Sequence, residues 1–273
     1  MSPSGPPSVV VTDLDGTLWH TDDRIAPEVV AAIAEVERRG VPLLVATGRR
    51  LASTAAPLAR VGVELPMVVL NGALGVERDG VSRFHTAPYR PDEAAAVLAA
   101  CRSVGLDPVI QVDHPEVEVF LSTTPGTHPD HVDALRQFAS FDDLERVVAE
   151  ESVLGFSLLG IDNAVGARIE RAIGTTAESH LDRSIEYLGG ASLTVAPKGQ
   201  SKWDGVLAYC AANDLDPSRV LCLADGANDI ELLDNSAVRL VPSVAHPAAL
   251  ERADHVIGAA MDGGWVEVLD HLA

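Results

Sequence analysis

The sequence has few cysteines, no cluster of basic residues and no long apolar segment. Its cysteines, at positions 101, 210 and 222, are odd in number and lack metal-ligand spacing. Neither a disulfide framework nor a zinc site is therefore predicted. No segment supplies about 18 uninterrupted apolar residues, and the N-terminus lacks a basic stretch followed by an apolar core. We expect no membrane span and no export signal, and the scarcity of cysteine favours the reducing cytoplasm.

Positive charge is also scarce. The chain carries 20 lysine and arginine residues against 40 aspartate and glutamate residues, a formal net charge of -20 at pH 7. Because such a surface repels nucleic acid and anionic lipid, neither nucleic acid nor a membrane is expected as a partner. An anionic ligand must therefore be small and must be bound by cationic groups placed at the site. The expected partner is a small molecule, and both a monomer and a homodimer remain open.

Short apolar strands alternate with helices in the first part of the chain. Strands are predicted over Ser8–Thr12, Val41–Ala46 and Met67–Leu70, and helices over Pro27–Arg39 and Leu51–Val61. This alternation is typical of an α/β fold with a doubly wound, Rossmann-like parallel sheet. It resumes near residue 203 and continues to the end of the chain. Functional loops are expected at the C-terminal ends of the strands.

The middle of the chain follows a different pattern. A helix around 92–104 precedes strands near Val109–Val112 and Val117–Leu121, which together predict a hairpin. Further helices and strands follow, including a short strand near Ile185–Tyr187. The mixture predicts an inserted α+β domain with an antiparallel sheet. The predicted organisation is a catalytic core of residues 1–82 plus 193–273 and an inserted cap domain of residues 83–192.

Two carboxylates stand directly after the first predicted strand. Asp13 and Asp15 can project toward a common cleft, while Gly16 permits a sharp chain reversal. Carboxylates this close repel each other unless a cation or a shared proton intervenes. A capped turn is the alternative, because Asp and Gly are common in turns. The position at the end of a buried strand favours a functional pair.

A second acidic cluster follows the strand predicted near Val220–Leu223. Asp225, Asn228 and Asp229 lie between that strand and a helix, at the same sheet edge as Asp13. An EF-hand is excluded, because its remaining ligand positions and closing glutamate are absent. A small number of hard oxygen ligands indicates octahedral Mg²⁺ that retains several waters.

Two further segments offer phosphate ligands and positive charge. Thr47, Gly48 and Arg49 follow the second strand and supply a hydroxyl, a backbone amide and a cation for a phosphate oxygen. Ordinary helix capping is the alternative for this segment. Lys198 and Lys202 precede a core helix, and either of them is an ordinary surface lysine in the alternative interpretation.

The order of these four segments resembles that of the haloacid dehalogenase superfamily, and more closely its Cof-like sugar-phosphatase branch. The matching motifs are Asp13 to Leu18 (DLDGTL), Ala46 to Arg50 (ATGRR), Asn71 to Ala73 (NGA), Pro197 to Lys202 (PKGQSK) and Asp225 to Asp229 (DGAND). The resemblance extends over essentially the whole chain. One departure is Ala224, where that branch usually has glycine. The ending Gly263, Gly264, Trp265 is similar to that of mannosyl-3-phosphoglycerate phosphatases.

The resemblance implies a role for each motif. Asp13 would be the nucleophile and Asp15 the general acid and base. Lys202, rather than Lys198, matches the lysine that holds both the phosphate and the nucleophile. The implied phosphate ligands are Leu14, Thr47, Gly48, Lys202 and Asn228, and the implied Mg²⁺ ligands are Asp13, Asp15, Asp225 and Asp229.

The resemblance also implies the reaction. It indicates an Mg²⁺-dependent phosphatase that cleaves a small phosphorylated metabolite, such as a sugar phosphate, through an aspartyl-phosphate intermediate. The cap would select the leaving group. One alternative is a phosphomutase, which would return the phosphate to the sugar. Another is a catalytically silent binding module of the same fold.

Overall fold

The computed structural model describes residues 5–19, 23–183 and 190–273. The chain divides into two compact units, one of Met1–His85 with Ser201–Ala273 and one of Thr86–Gln200. The boundaries predicted from the sequence, after residues 82 and 192, lie three and eight residues earlier than those of the units. The second boundary falls later because the strand Ala191–Pro197 pairs with neighbouring strands of the second unit.

The strands and helices are numbered in chain order. The strands are β1 (Val9–Thr12), β2 (Leu43–Ala46), β3 (Met67–Val69), β4 (Leu74–Val76), β5 (Arg83–Thr86), β6 (Val109–Val112), β7 (Val119–Leu121), β8 (Ala139–Phe141), β9 (Val153–Ile161), β10 (Ala177–Arg183), β11 (Ala191–Pro197), β12 (Val220–Leu223), β13 (Val238–Pro242) and β14 (His255–Ile257). The α-helices are α1 (Pro27–Arg38), α2 (Leu51–Arg60), α3 (Pro91–Arg102), α4 (Pro129–Leu135), α5 (Leu144–Glu150), α6 (Asn163–Ile173), α7 (Lys202–Ala212), α8 (Ile230–Asn235) and α9 (Pro247–Leu250). Short 3₁₀ helices cover Leu70–Gly72, Pro217–Arg219, Ala227–Asp229, Ala260–Asp262 and Gly264–His271.

The first unit is built on a sheet with the strand order β14-β13-β12-β1-β2-β3-β4-β5. Strands from β14 to β3 run parallel to their neighbours, and β4 is antiparallel to β3. On one face, Val9 and Val11 of β1 belong to a buried cluster with apolar residues of α7 and α8. On the other, α1 packs against the 3₁₀ helix Gly264–His271 and contacts β2. The predicted α/β class with a parallel-sheet core is confirmed.

The second unit is built on a sheet with the strand order β10-β11-β9-β6-β7-β8. Its neighbouring strands are antiparallel, except that β7 and β8 run parallel. Ile110, Phe156 and Leu193 form one buried cluster with apolar residues of α3, α5 and α6. The predicted hairpin corresponds to β6 and β7, with Ile110 opposite Phe120. The strand predicted at 185–187 lies outside the described residues.

The cysteines of the chain are buried free thiols. Burial raises the pKa of Cys101 and Cys222 to about 12 and that of Cys210 to about 11. Because the thiolate is the reactive form, these side chains are chemically inert at neutral pH. Within residues 5–19, 23–183 and 190–273, no helix has both the length and the apolar character needed to cross a lipid bilayer.

Candidate active site

Asp13 follows β1 and lies in a buried cluster with Lys202 and Asp229. The Nζ atom of Lys202 lies 2.7 Å from Oδ1 of Asp13 and 2.6 Å from Oδ1 of Asp229. The side chain of Lys202 is 1% exposed and that of Asp229 is 0% exposed. Burial alone would lower the pKa of Lys202, but the two carboxylates outweigh it and raise that pKa above its usual value. The ammonium group is therefore firmly charged where the nucleophile is expected.

The local sequence explains why Lys202 points into this cluster. Ser201 and Asp204 form a capping box: the backbone N–H of Asp204 donates to the Ser201 hydroxyl at 3.4 Å, and the backbone N–H of Ser201 donates to Oδ2 of Asp204 at 2.9 Å. This box starts α7 at Lys202 and fixes the direction of the first turn. A Cβ atom at Gly72 would overlap the carbonyl oxygen of Ser201, so the NGA motif packs closely against this helix start. Lys198, by contrast, is exposed.

Asp225 follows β12 and approaches the loop after β1. The hydroxyl of Thr17 donates to Oδ1 of Asp225 at 2.9 Å. Gly16 has φ +79, in the left-handed region, and a Cβ atom there would overlap Oδ2 of Asp225. The glycine of the first motif is therefore required both by the backbone conformation and by the approach of this carboxylate.

Carboxylate oxygens of Asp13, Asp225 and Asp229 lie within 4.8 Å of one another. Burial, and then the charge of Asp229, raises the pKa of Asp225 to about 7. Burial also holds the pKa of Asp13 well above its usual value, against the opposing effect of Lys202. Among the described residues, the buried carboxylates of Asp13 and Asp229 and the half-buried one of Asp225 thus lie with the ammonium group of Lys202, so negative charge exceeds positive charge in the cluster. Its hard oxygen donors and its excess negative charge suit a divalent cation such as Mg²⁺.

Asp15 takes a different position from the other three aspartates. Its carboxylate accepts two hydrogen bonds from Arg49, both at 2.6 Å, and a third from Nε1 of Trp19 at 3.1 Å. Arg49 also pairs with Asp23 at 2.7 Å, and its guanidinium lies 5.1 Å from the centre of the Trp19 ring. The Asp15 carboxylate lies outside the group of three carboxylates, and its predicted role as a metal ligand stays a prediction.

The TGR and NGA motifs converge with the second acidic cluster. Nδ2 of Asn228 donates to Oδ1 of Asn71 at 3.1 Å. A Cβ atom at Gly48 would lie 2.9 Å from Oδ1 of Asn71 and 3.5 Å from Nδ2 of Asn228. Thr47 is buried, and its Oγ1 accepts the backbone N–H of Arg49 at 3.2 Å. A hydroxyl and a backbone amide are thus gathered beside two side-chain amides.

Sequence reasoning missed several members of this site. It offered Arg49 as a cation for phosphate, whereas the structure pairs Arg49 with two carboxylates. It gave no role to Thr17 or Asn71, although Thr17 lies in the DLDGTL motif and Asn71 in the NGA motif. No local pattern indicates the pairing of Arg49 with Asp15, because the two residues lie 34 positions apart. Only the adjacency of β1 and β2 brings them together.

Comparison with known proteins agrees with this geometry. The profile of the haloacid dehalogenase-like hydrolase family matches residues 10–269. The chain is 25% identical over 265 residues to the phosphoglycolate phosphatase of Methanopyrus kandleri, with 97% of each chain covered. It is 22% identical over 262 residues to the pyridoxal phosphate phosphatase YbhA of Escherichia coli, covering 92% of this chain and 93% of the relative.

A solved structure of a subclass IIB sugar phosphatase of the haloacid dehalogenase superfamily has the same fold. The two structures superpose with a TM-score of 0.77 at 19% identity, over 97% of this chain and 98% of that chain. The resemblance inferred from the motifs is therefore confirmed. With the family profile covering nearly all of the sequence, the chain belongs to the haloacid dehalogenase-like hydrolases.

Proposed function

We propose that this chain is an Mg²⁺-dependent phosphatase that hydrolyses a small phosphorylated metabolite through a phosphorylated Asp13. The observation that carries the proposal is the position of Lys202, whose ammonium group is buried between Asp13 and Asp229. A buried lysine in contact with a carboxylate can neutralise a phosphoryl group at the moment that carboxylate attacks it. Phosphoryl transfer needs this positioning and positive charge more than any other contribution from the protein.

The two carboxylates of the first motif divide the chemistry. An oxygen of Asp13 attacks phosphorus in line and displaces the alcohol, and Asp15 donates a proton to the leaving oxygen. Water then attacks the aspartyl phosphate and releases inorganic phosphate, while Asp15 takes a proton from that water and so regains the one it gave to the alcohol. Arg49 and Trp19 hold the Asp15 carboxylate by three hydrogen bonds, so its orientation is fixed before substrate binds.

The phosphoryl oxygens are held by groups of this chain. The proposed contacts are the Thr47 hydroxyl, the ammonium group of Lys202, the backbone amides of Leu14 and Gly48, and the side chain of Asn228. The cation would be held by Asp13, Asp225 and Asp229, with Asp15 as a further proposed ligand. When bound, Mg²⁺ supplies Lewis-acid stabilisation of the charge on the phosphoryl group.

The proposed substrate class is the small phosphorylated metabolites. The named relatives act on phosphoglycolate and pyridoxal phosphate, and the compared structure is that of a sugar phosphatase. Because these leaving groups differ, the choice among them belongs to residues outside the shared motifs. We assign that choice to the inserted cap, proposed from the sequence as residues 83–192. We also propose a cytoplasmic location, because Cys101, Cys210 and Cys222 are free thiols.

The test is the release of inorganic phosphate from a panel of phosphorylated metabolites and from p-nitrophenyl phosphate. Release should require Mg²⁺, stop with a strong chelator and return when Mg²⁺ is restored. Full activity in chelator would contradict the metal assignment. Transfer of phosphate between positions of a sugar, without release of inorganic phosphate, would identify a phosphomutase instead.

A further inference from the structure

A chain of two hydrogen bonds joins the C-terminal motif to the residue proposed as nucleophile. The indole Nε1 of Trp265 donates to Oγ1 of Thr12 at 2.9 Å, and that hydroxyl donates to the carbonyl oxygen of Asp13 at 2.7 Å. Trp265 and Thr12 are 0% exposed and Asp13 is 5% exposed. An indole N–H can only donate and a carbonyl can only accept, so the direction of both bonds is fixed.

The second bond sets the orientation of one peptide group. Because the peptide between Asp13 and Leu14 is planar and trans, its carbonyl and its N–H point in opposite directions. A hydroxyl that holds the Asp13 carbonyl therefore also fixes where the Leu14 N–H points. In the described part of the chain, the Leu14 N–H has no hydrogen-bond acceptor, although Leu14 is fully buried. A buried N–H without an acceptor is costly unless a ligand satisfies it.

The C-terminal segment is built to hold Trp265 in place. Gly263 has φ +73, and a Cβ atom at Gly264 would overlap the carbonyl oxygen of Gly258. The N–H of Gly258 in turn donates to Oε1 of Glu267 at 2.7 Å. Both glycines of the GGW motif are thus needed to bring the indole against β1. The proposed phosphatase mechanism gives this motif no role.

We propose that Trp265 is a positioning residue, which acts through Thr12 to aim the Leu14 N–H at the phosphoryl group carried by Asp13. The inference rests on the proposed function, because it assigns the phosphoryl oxygen as the acceptor for Leu14. The contact is made to the phosphoryl group rather than to the leaving group. Loss of the relay should therefore slow all phosphomonoesters by a similar factor and leave their ranking unchanged.

The experiment compares Trp265→Phe, Thr12→Val and the double variant with the parent chain in saturating Mg²⁺. Trp265→Phe removes the indole donor, whereas Thr12→Val keeps the shape of the side chain and removes both hydrogen bonds, so kcat/KM should fall about tenfold in either variant. The double variant should be no slower than Thr12→Val, because the bonds act in series. Thr12→Ser keeps the hydroxyl and should retain activity. Val268→Ala removes a buried contact from the same 3₁₀ helix without touching the relay, and it controls for lost stability.

A second measurement does not depend on turnover. In the chain labelled with ¹⁵N-leucine, the Leu14 amide resonance is assigned by its absence from Leu14→Met. It should shift in Trp265→Phe and Thr12→Val but not in Val268→Ala. If the parent releases no phosphate from any monoester, the proposed function fails and this resonance alone decides the relay. The relay is overturned if Trp265→Phe and Thr12→Val match Val268→Ala in the resonance, or if their losses in kcat/KM add.

Discussion

The ammonium group of Lys202 lies 2.7 Å from Oδ1 of Asp13, and the two side chains are 1% and 7% exposed. An amide in place of the carboxylate keeps the volume and can still accept this hydrogen bond, but it cannot attack phosphorus. Asp13→Asn should therefore lower turnover by at least about 10³-fold. Thermal unfolding should occur at the same temperature or higher, because the change relieves repulsion among buried carboxylates. Activity within about tenfold of the parent would place the nucleophile elsewhere.

Gly16 offers a test of the close approach between the two acidic motifs. Gly16→Ala should lower the free energy of unfolding by about 1 kcal/mol because the backbone is left-handed there. The loss should be larger still because the added Cβ atom overlaps Asp225. Displacement of Asp225 should also weaken activation by Mg²⁺. Gly40 is the matched control, since it has φ +75 and a Cβ atom added there would meet nothing within 4 Å. In urea unfolding, Gly40→Ala should lower the free energy of unfolding only by the contribution of the left-handed backbone. Equal losses in the two variants would argue against the contact.

Much of the core could be predicted from the sequence because β1, β2, β3 and β12 are short runs of buried, mostly apolar residues. The strand predicted at Val220–Leu223 is β12 itself, and Pro27–Arg39 differs from α1 by one residue. The edge strand β14 was missed, because it has three residues and its first two are exposed, so no apolar period marks it. After β13, the predicted alternation of strands and helices corresponds in the structure to a four-residue α9, β14 and the 3₁₀ helix Gly264–His271.

In the candidate site, too, some residues could be predicted from the sequence and others could not. Motif residues such as Asp13 and Asp225 could be found because each follows a recognisable strand. Their partners could not, because the contacts join distant segments: Thr17 lies 208 positions from Asp225, and Trp265 lies 253 positions from Thr12. Such pairs depend on strand order and on loop conformation. Neither of these has a local signature in a single sequence.

Arg49 supplies a prediction about the proton donor. Arg49→Lys keeps the charge but loses the paired hydrogen bonds to Asp15. An alkyl phosphate needs a proton on its leaving oxygen, so its hydrolysis should slow by about 10- to 100-fold. Formation of the aspartyl phosphate from p-nitrophenyl phosphate, which has a good leaving group, should slow much less in rapid-quench measurements. Arg38→Lys breaks a similar pair with Glu35 on the surface and should change neither rate. Equal slowing of both substrates would argue against a positioning role.

The hairpin of the proposed cap supplies a prediction about substrate choice. In the turn between β6 and β7, Nδ1 of His114 accepts the backbone N–H groups of Glu116 and Val117 at 3.1 and 3.2 Å. Changes at Asp113, His114 and Glu116 should alter the ranking among phosphorylated metabolites, because remote contacts discriminate only among substrates large enough to make them. Hydrolysis of p-nitrophenyl phosphate should change little. Glu150→Gln, on an exposed site of the same unit, is the control. A uniform loss on all substrates would contradict a selective role.

The raised pKa of Asp225 predicts how metal binding and stability depend on pH. Its folded-state pKa of about 7 lies above the reference value of 3.8, so the folded chain without metal binds the proton more tightly than the unfolded chain. The stabilisation from this proton is complete below the unfolded pKa and is lost as pH rises through about 7. Without metal, unfolding in urea should therefore become easier between about pH 4 and about pH 7. Mg²⁺ requires the ionised carboxylate, so its stabilising effect should grow over the same interval. Asp13, whose pKa is also raised, adds a contribution of the same sign.

Asp225→Asn should flatten the pH dependence and remove most of the stabilisation by Mg²⁺. Asp254→Asn is the control, because Arg239 lowers the pKa of Asp254 and its contribution is lost only at more acidic pH. If Mg²⁺ stabilised the parent equally at about pH 5 and about pH 8, the carboxylates of this cluster would not be its ligands.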